Sequence, residues 1–105
     1  MTLDEYQEAA LRTANRALDT KHRLLDAAAG LSEEAGEVLG HVRKHVMQQR
    51  ALDTEALTLE LGDALWCLAV AADAAGIRLS DVARANQDKL HARHPQGFDS
   101  RAPIA

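Results

Sequence analysis

Five carboxylates in two short clusters carry the chemistry open to this chain. The first cluster is Glu33-Glu34-Ala35-Gly36-Glu37 and the second is Glu60-Leu61-Gly62-Asp63. Residues 34–39 and 60–65 share one form: acid, any residue, Gly, acid, a small or branched residue, Leu. The match is too short for a repeat, but it suggests two helices making equivalent contributions to one site. Within the first cluster Glu34 and Glu37 are i,i+3 neighbours and Glu33 and Glu37 are i,i+4, so they repel on a helix instead of pairing. No Lys or Arg stands within a turn on the N-terminal side, and His41 is the i+4 neighbour of Glu37.

Glu60 and Asp63 are the odder pair. Around them Leu57, Leu61, Leu65, Leu68 and Ala72 make one apolar stripe at helical spacing, and Leu59, Trp66 and Val70 make another. A helix apolar on nearly every side is a buried one, where an unpaired carboxylate is heavily desolvated or neutral. An acidic run such as Glu33-Glu34-Glu37 is ordinarily a solvated face; the second cluster has no such face to explain it. Packing the two segments antiparallel gathers four carboxylates whose charges repel, and a hard divalent cation reverses that repulsion. Oxygen-only donors, with no Cys or His cluster beside them, select Mg²⁺ (or Mn²⁺) over Zn²⁺, and Mg²⁺ commonly serves substrate phosphates. Gly36 and Gly62 would leave the helix surfaces bare where a triphosphate can lie.

The elements that must position these acids read as helices throughout. Ala and Leu dominate, aromatics are 3%, and both prolines, Pro95 and Pro103, fall near the C-terminus, so the body has no hard breaker. Thr2-Leu3-Asp4-Glu5 is a capping box that opens a helix over 3–18. A second helix covers about 22–48 and holds Gly30, Gly36 and Gly40. Interior glycines cost helix stability, so three of them imply close approach of another backbone, a ligand, or a break near Gly30. Asp53 caps a third helix that runs to about Ala75 and stops at Gly76, and Ser80 caps a fourth that ends near His94 ahead of Pro95. The expected architecture is all-α, a four-helix bundle or a pair of helical hairpins. The helical domain is residues 1–95, and 96–105 is a surface tail tied down by Phe98.

Bulk properties narrow the function further. The 105 residues make one domain with a modest core, so an apolar third helix predicts a homodimer or homotetramer. A net charge of −4 offers no basic patch for nucleic acid. The single Cys67 excludes a disulfide framework. The acidic start is unlike a secretory signal, and the apolar run 64–72 is too short for a membrane span. The expectation is a soluble, cytoplasmic protein.

With these residues in view, the chain resembles the MazG-like nucleoside triphosphate pyrophosphohydrolases of the all-α NTP pyrophosphatase superfamily. The likeness runs from Leu3-Asp4-Glu5-Tyr6-Gln7-Glu8 through Gly30-Leu31-x-Glu33-Glu34-Ala35-Gly36-Glu37-Val38 and Lys44-His45. It continues in Glu60-Leu61-Gly62-Asp63-x-Leu65-Trp66 and closes with Asn86-x-x-Lys89-Leu90-x-x-Arg93-His94-Pro95-x-Gly97-Phe98. The resemblance implies Mg²⁺-dependent hydrolysis of an NTP or dNTP to the monophosphate and pyrophosphate, in keeping with nucleotide-pool house-cleaning. By motif position Glu34, Glu37, Glu60 and Asp63 would bind metal, and Glu33 would be an accessory acid that orients or deprotonates the attacking water. Lys89 and Arg93 would clamp phosphates and Asn86 would touch the nucleotide. Lys44 would reach phosphates, and Trp66 would either stack on a base or sit in the core. Many relatives carry Tyr where this chain has Cys67 and His94, so no contact made by those tyrosines carries over.

Two rival readings make distinct predictions. A non-catalytic helical interaction module would gain no stability from Mg²⁺ or Mn²⁺. A di-iron carboxylate bundle needs Glu-x-x-His pairs, and neither acidic cluster contains one.

Overall fold

The computed structural model describes residues 1–101 and is all-helical. Its helices are α1 (Leu3–Leu11), α2 (Thr20–Met47), α3 (Thr54–Ala74) and α4 (Leu79–Arg93). Positions 102–105 of the expected tail lie outside the described residues.

Most helix ends follow from local sequence. The capping box closes on both sides: Thr2 Oγ1 accepts from the Glu5 amide at 3.0 Å, and Glu5 Oε1 accepts from the Thr2 amide at 2.8 Å. Asp19 and Asp53 cap α2 and α3, each accepting from the amide three residues on. The end of α3 is a Schellman motif. Gly76 sits at φ 75°, its amide donates to the Asp73 carbonyl at 2.9 Å, and the Ile77 amide donates to Ala72 at 2.8 Å.

Two ends depart from the sequence expectation, both for tertiary reasons. α1 stops at Leu11 and not near residue 18. A continuing helix would give the Ala10 carbonyl to the Ala14 amide. That carbonyl instead accepts from the Thr13 amide at 3.1 Å, the Thr13 hydroxyl at 3.0 Å and the Trp66 indole at 3.1 Å. At α4, Ser80 is not the cap: the cap residue is Arg78, which makes no side-chain cap bond. The first amides of α4 are satisfied from α1. Gln7 Oε1 accepts from the Leu79 amide at 3.0 Å, and Asp4 accepts from the Ser80 amide at 2.9 Å and the Ser80 hydroxyl at 2.7 Å.

α3 is the hub. It packs against α1, α2 and α4, and α1 also meets α4; among the described residues α2 touches α3 alone. The pairs Gly30–Cys67 and His41–Glu60 show that α2 and α3 run antiparallel. α2 is unbroken at Gly30. There a Cβ would lie 3.0 Å from Cys67 Sγ, whereas Gly36 and Gly40 face open space, so close approach accounts for one helix-2 glycine.

Burial is confined to one half of α3. Cys67, Ala69, Val70, Ala72 and Ala74 are buried, with Ala10, Ala27 and Leu79 from the other helices. Tyr6 and Trp66 pack against the centre formed by Ala10, Ala69 and Leu79. The expectation that α3 is apolar and buried all round is corrected for the single chain: Leu59 is 71% exposed and Leu61 51%. With α2 standing on α3 alone, Leu59 and Leu61 stay uncovered among the described residues, while Leu57 is half-buried. The radius of gyration is 16.3 Å, against about 13 Å for a compact domain of this length.

Candidate metal centre

The antiparallel seam brings the two acidic clusters face to face. One carboxylate oxygen from each of Glu34, Glu37 and Glu60 lies within 4.8 Å of the others. Helical spacing puts Glu34 and Glu37 one turn apart on α2, and Glu60 meets them from α3. Glu34 is half-buried, Glu37 exposed, and the Glu60 side chain is 19% exposed. Glu34 Oε2 and Glu60 Oε2 are shielded from solvent and have no hydrogen-bond partner among the described residues. Buried carboxylate oxygens are ordinarily satisfied, so two such orphans in one cluster need a cation or protons.

The electrostatics agree. The Glu60 carboxyl is pushed up to about 7, first by its hydrogen-bonding proximity to Glu34, then by burial, then by Glu37. Without a cation the cluster therefore keeps a proton it would otherwise shed. His41 Nε2 stands 3.9 Å from Glu60 Oε1. The donors are all carboxylate oxygens, which suits a hard divalent ion, so the residues present fit the cation that the sequence implied.

Asp63, expected as a fourth ligand, lies one turn along α3 from Glu60, is exposed, and is not part of the compact group. Its charge falls on Tyr6 and Cys67, whose ionisations are raised by burial first and with Asp63 contributing. Glu33 is exposed beside the group. Asn86, Lys89 and Arg93 are on α4, which does not pack against α2.

Trp66 has a packing role. Its indole N–H donates to Thr13 Oγ1 at 2.8 Å as well as to Ala10, so the half-buried ring ties α3 to the end of α1. Lys44 lines a cavity of about 320 Å³ with His41, His45, Arg50, Ala51 and Asp53. Above Gly36 and Gly62 the space is open, as a bare surface beside the acids requires. In the tail Phe98 is 89% exposed and stacks on His94 with centroids 5.9 Å apart, while the Asp99 amide donates to His94 Nδ1 at 2.9 Å. The backbone bond to His94, more than burial of Phe98, ties that segment down.

Sequence reasoning missed Arg50 as a wall of that cavity, and no motif could have found it because it lies in a connection. It named His41 only as the i+4 neighbour of Glu37, and that spacing was the signal for its place beside Glu60. No helix of the described residues is long and apolar enough to cross a membrane.

Comparison with known proteins supplies the family. The chain is 33% identical over 105 residues to the Gene 37 protein of Mycobacterium phage L5, covering 92% of each chain. It is 36% identical over 72 residues to the uncharacterized protein YvdC of Bacillus subtilis (strain 168), covering 60% of this chain and 68% of that one. No solved structure matches it. The MazG nucleotide pyrophosphohydrolase domain matches residues 22–98, which span both acidic clusters and the closing segment. The chain belongs to the MazG nucleotide pyrophosphohydrolase family.

Proposed function

We propose that the chain hydrolyses nucleoside triphosphates, ribo or deoxy, to the monophosphate and pyrophosphate, as a nucleotide-pool house-cleaning enzyme of the cytoplasm. The observation that carries this reading is the convergence of Glu34, Glu37 and Glu60 within 4.8 Å, with two buried carboxylate oxygens unpartnered. Glu34, Glu37, Glu60 and Asp63 would hold Mg²⁺, with Mn²⁺ as a substitute. When bound, the ion neutralises phosphate charge and lowers the pKa of water. Glu33, exposed at the edge of the group, orients the attacking water or takes its proton. Asn86, Lys89 and Arg93 contact the nucleotide from α4, and the catalytic unit is residues 1–95.

The active form is a homodimer or homotetramer. The extended shape and the exposed stripe of Leu61, Leu65 and Leu68, with Leu59 exposed on the other stripe, support this, because exposed apolar surface of this kind marks an interface.

The test is direct. Purified protein incubated with a panel of NTPs and dNTPs and Mg²⁺ releases pyrophosphate, and Glu37→Gln and Glu60→Gln each abolish release. Release of inorganic phosphate alone, or turnover that survives both substitutions, refutes the reading.

A further inference from the structure

Two imidazoles follow the acids along α2. His41 and His45 are i,i+4 neighbours, so they share one face of the helix, a turn apart. Two histidines at that spacing can bind one zinc ion. Both line the cavity of about 320 Å³ between the end of α2 and the start of α3. His45 is oriented for such a role. Its Nδ1 lies 2.6 Å from the Arg50 carbonyl and donates to it, since a carbonyl only accepts. A ligating histidine ordinarily gives its other N–H to an acceptor of this kind, which fixes the tautomer and leaves Nε2 as a bare donor. The turn that carries Arg50 includes Gln49 at φ 54°, a left-handed conformation uncommon for a residue with a side chain. His41 brings a third donor within reach, because its Nε2 stands 3.9 Å from Glu60 Oε1. Two donors on one tetrahedral Zn²⁺ are about 3.3 Å apart at ordinary bond lengths, so a closure of about half an ångström sets both on the same ion.

We propose that His41, His45 and Glu60 bind a borderline transition-metal ion of the Zn²⁺ type, at a site that shares only Glu60 with the carboxylate group. Imidazole nitrogen suits Zn²⁺, whereas Mg²⁺ takes oxygen donors, so the two places select different ions. The inference goes beyond the pyrophosphohydrolase reading and does not depend on it. The site is not preformed: among the described residues the one group of donors within 4.8 Å is Glu34, Glu37 and Glu60. The ion assembles the new site by drawing the exposed His45 ring inward. An ion held there takes Glu60 from the carboxylates, so Zn²⁺ loading opposes loading of that group. Lys44 and Arg50 also line the cavity, but both are exposed, where solvent and salt screen their charge. The helix dipole favours a cation in the last turn of α2, where His45 lies; His41 stands outside that turn, and the dipole gives no reason for it.

The experiment is Zn²⁺ titration of the metal-free chain against a chromophoric chelator. The proteins are wild type, His45→Gln, His41→Gln/His45→Gln, Glu60→Gln, Glu34→Gln/Glu37→Gln, and His22→Gln, which removes an exposed imidazole of α2 that is bonded to Asp19. Circular dichroism establishes that each variant is folded, and His45→Gln serves if the double histidine variant is not. The expected result is that both histidine variants and Glu60→Gln weaken the tightest Zn²⁺ site tenfold or more. His22→Gln and Glu34→Gln/Glu37→Gln stay within threefold of wild type. Ring ¹⁵N spectra of wild type read the ligands directly: one equivalent of Zn²⁺ shifts Nε2 of His41 and His45 and leaves the His22 and His91 rings in place. Zn²⁺ binding that survives loss of both histidines, or that is lost with Glu34 and Glu37, places the ion on the carboxylates and overturns the proposal. Unmoved His41 and His45 resonances overturn it too, and an unchanged Glu60→Gln protein removes Glu60 as the shared donor.

Discussion

A Cβ on Gly30 would stand 3.0 Å from the Sγ of Cys67, so a methyl group there, one turn from Glu34, would press on the sulfur across the α2–α3 seam. That contact fixes how closely the two helices approach where their acids meet.

The first prediction concerns this pair. Gly30→Ala should destabilise the wild-type chain, because Cys67 must shift into a close-packed seam. In a Cys67→Ala background the same change should be neutral or stabilising by up to about 1 kcal/mol, the ordinary gain in helix propensity. Thermal melts of the four proteins form a double-mutant cycle; additivity within error would show that the contact does not couple the helices.

Glu60 makes the metal-free chain sensitive to pH. Its carboxyl ionises near 4.5 in the unfolded chain and near 7 in the fold. Between those values the folded chain binds more protons than the unfolded one, so stability falls as pH rises through that window and levels off above it. A cation must displace the same proton, so Mn²⁺ affinity should rise with pH up to about 7, by at most about tenfold per unit. Mn²⁺ titrations and melts across that range test both signs, and Glu60→Gln should flatten the two curves.

Gln7 is the buried polar group that joins α1 to the α3–α4 turn. Its Nε2 donates to the carbonyls of Ala69 and Ile77 at 3.0 and 3.1 Å, and its Oε1 accepts from Leu79. Gln7→Ala removes three bonds and leaves buried partners unpaired, for a loss of about 3 kcal/mol. Urea denaturation measures it; a loss below about 1 kcal/mol would mean that water replaces the amide.

Trp66→Phe keeps most of the ring and deletes the indole donor to Ala10 and Thr13. The chain should lose about 1 kcal/mol of stability, while the ranking of nucleotide bases in a substrate panel stays as in wild type. A changed base preference would return Trp66 to the substrate.

Gly76 at φ 75° closes α3. Gly76→Ala should cost about 1 kcal/mol, since a Cβ disfavours the left-handed region; unchanged thermal stability would mean that the turn has relaxed.

The amino-acid sequence alone determined the all-helical class, the caps at Thr2 and Asp53 and the stop at Gly76, because each depends on bonds within a few residues. It also marked the acids, since carboxylates among leucines stand out without any fold. Tertiary structure decided the rest. α1 ends where Trp66 and Thr13 claim the Ala10 carbonyl, and α4 begins on groups lent by Asp4 and Gln7, over 70 residues away. Glu34, Glu37 and Glu60 form the compact group while Asp63 stays exposed, because the crossing of two helices selects which positions on a shared face touch. The clusters could be read from residue type; their meeting, and the cavity beside them, depended on the antiparallel seam.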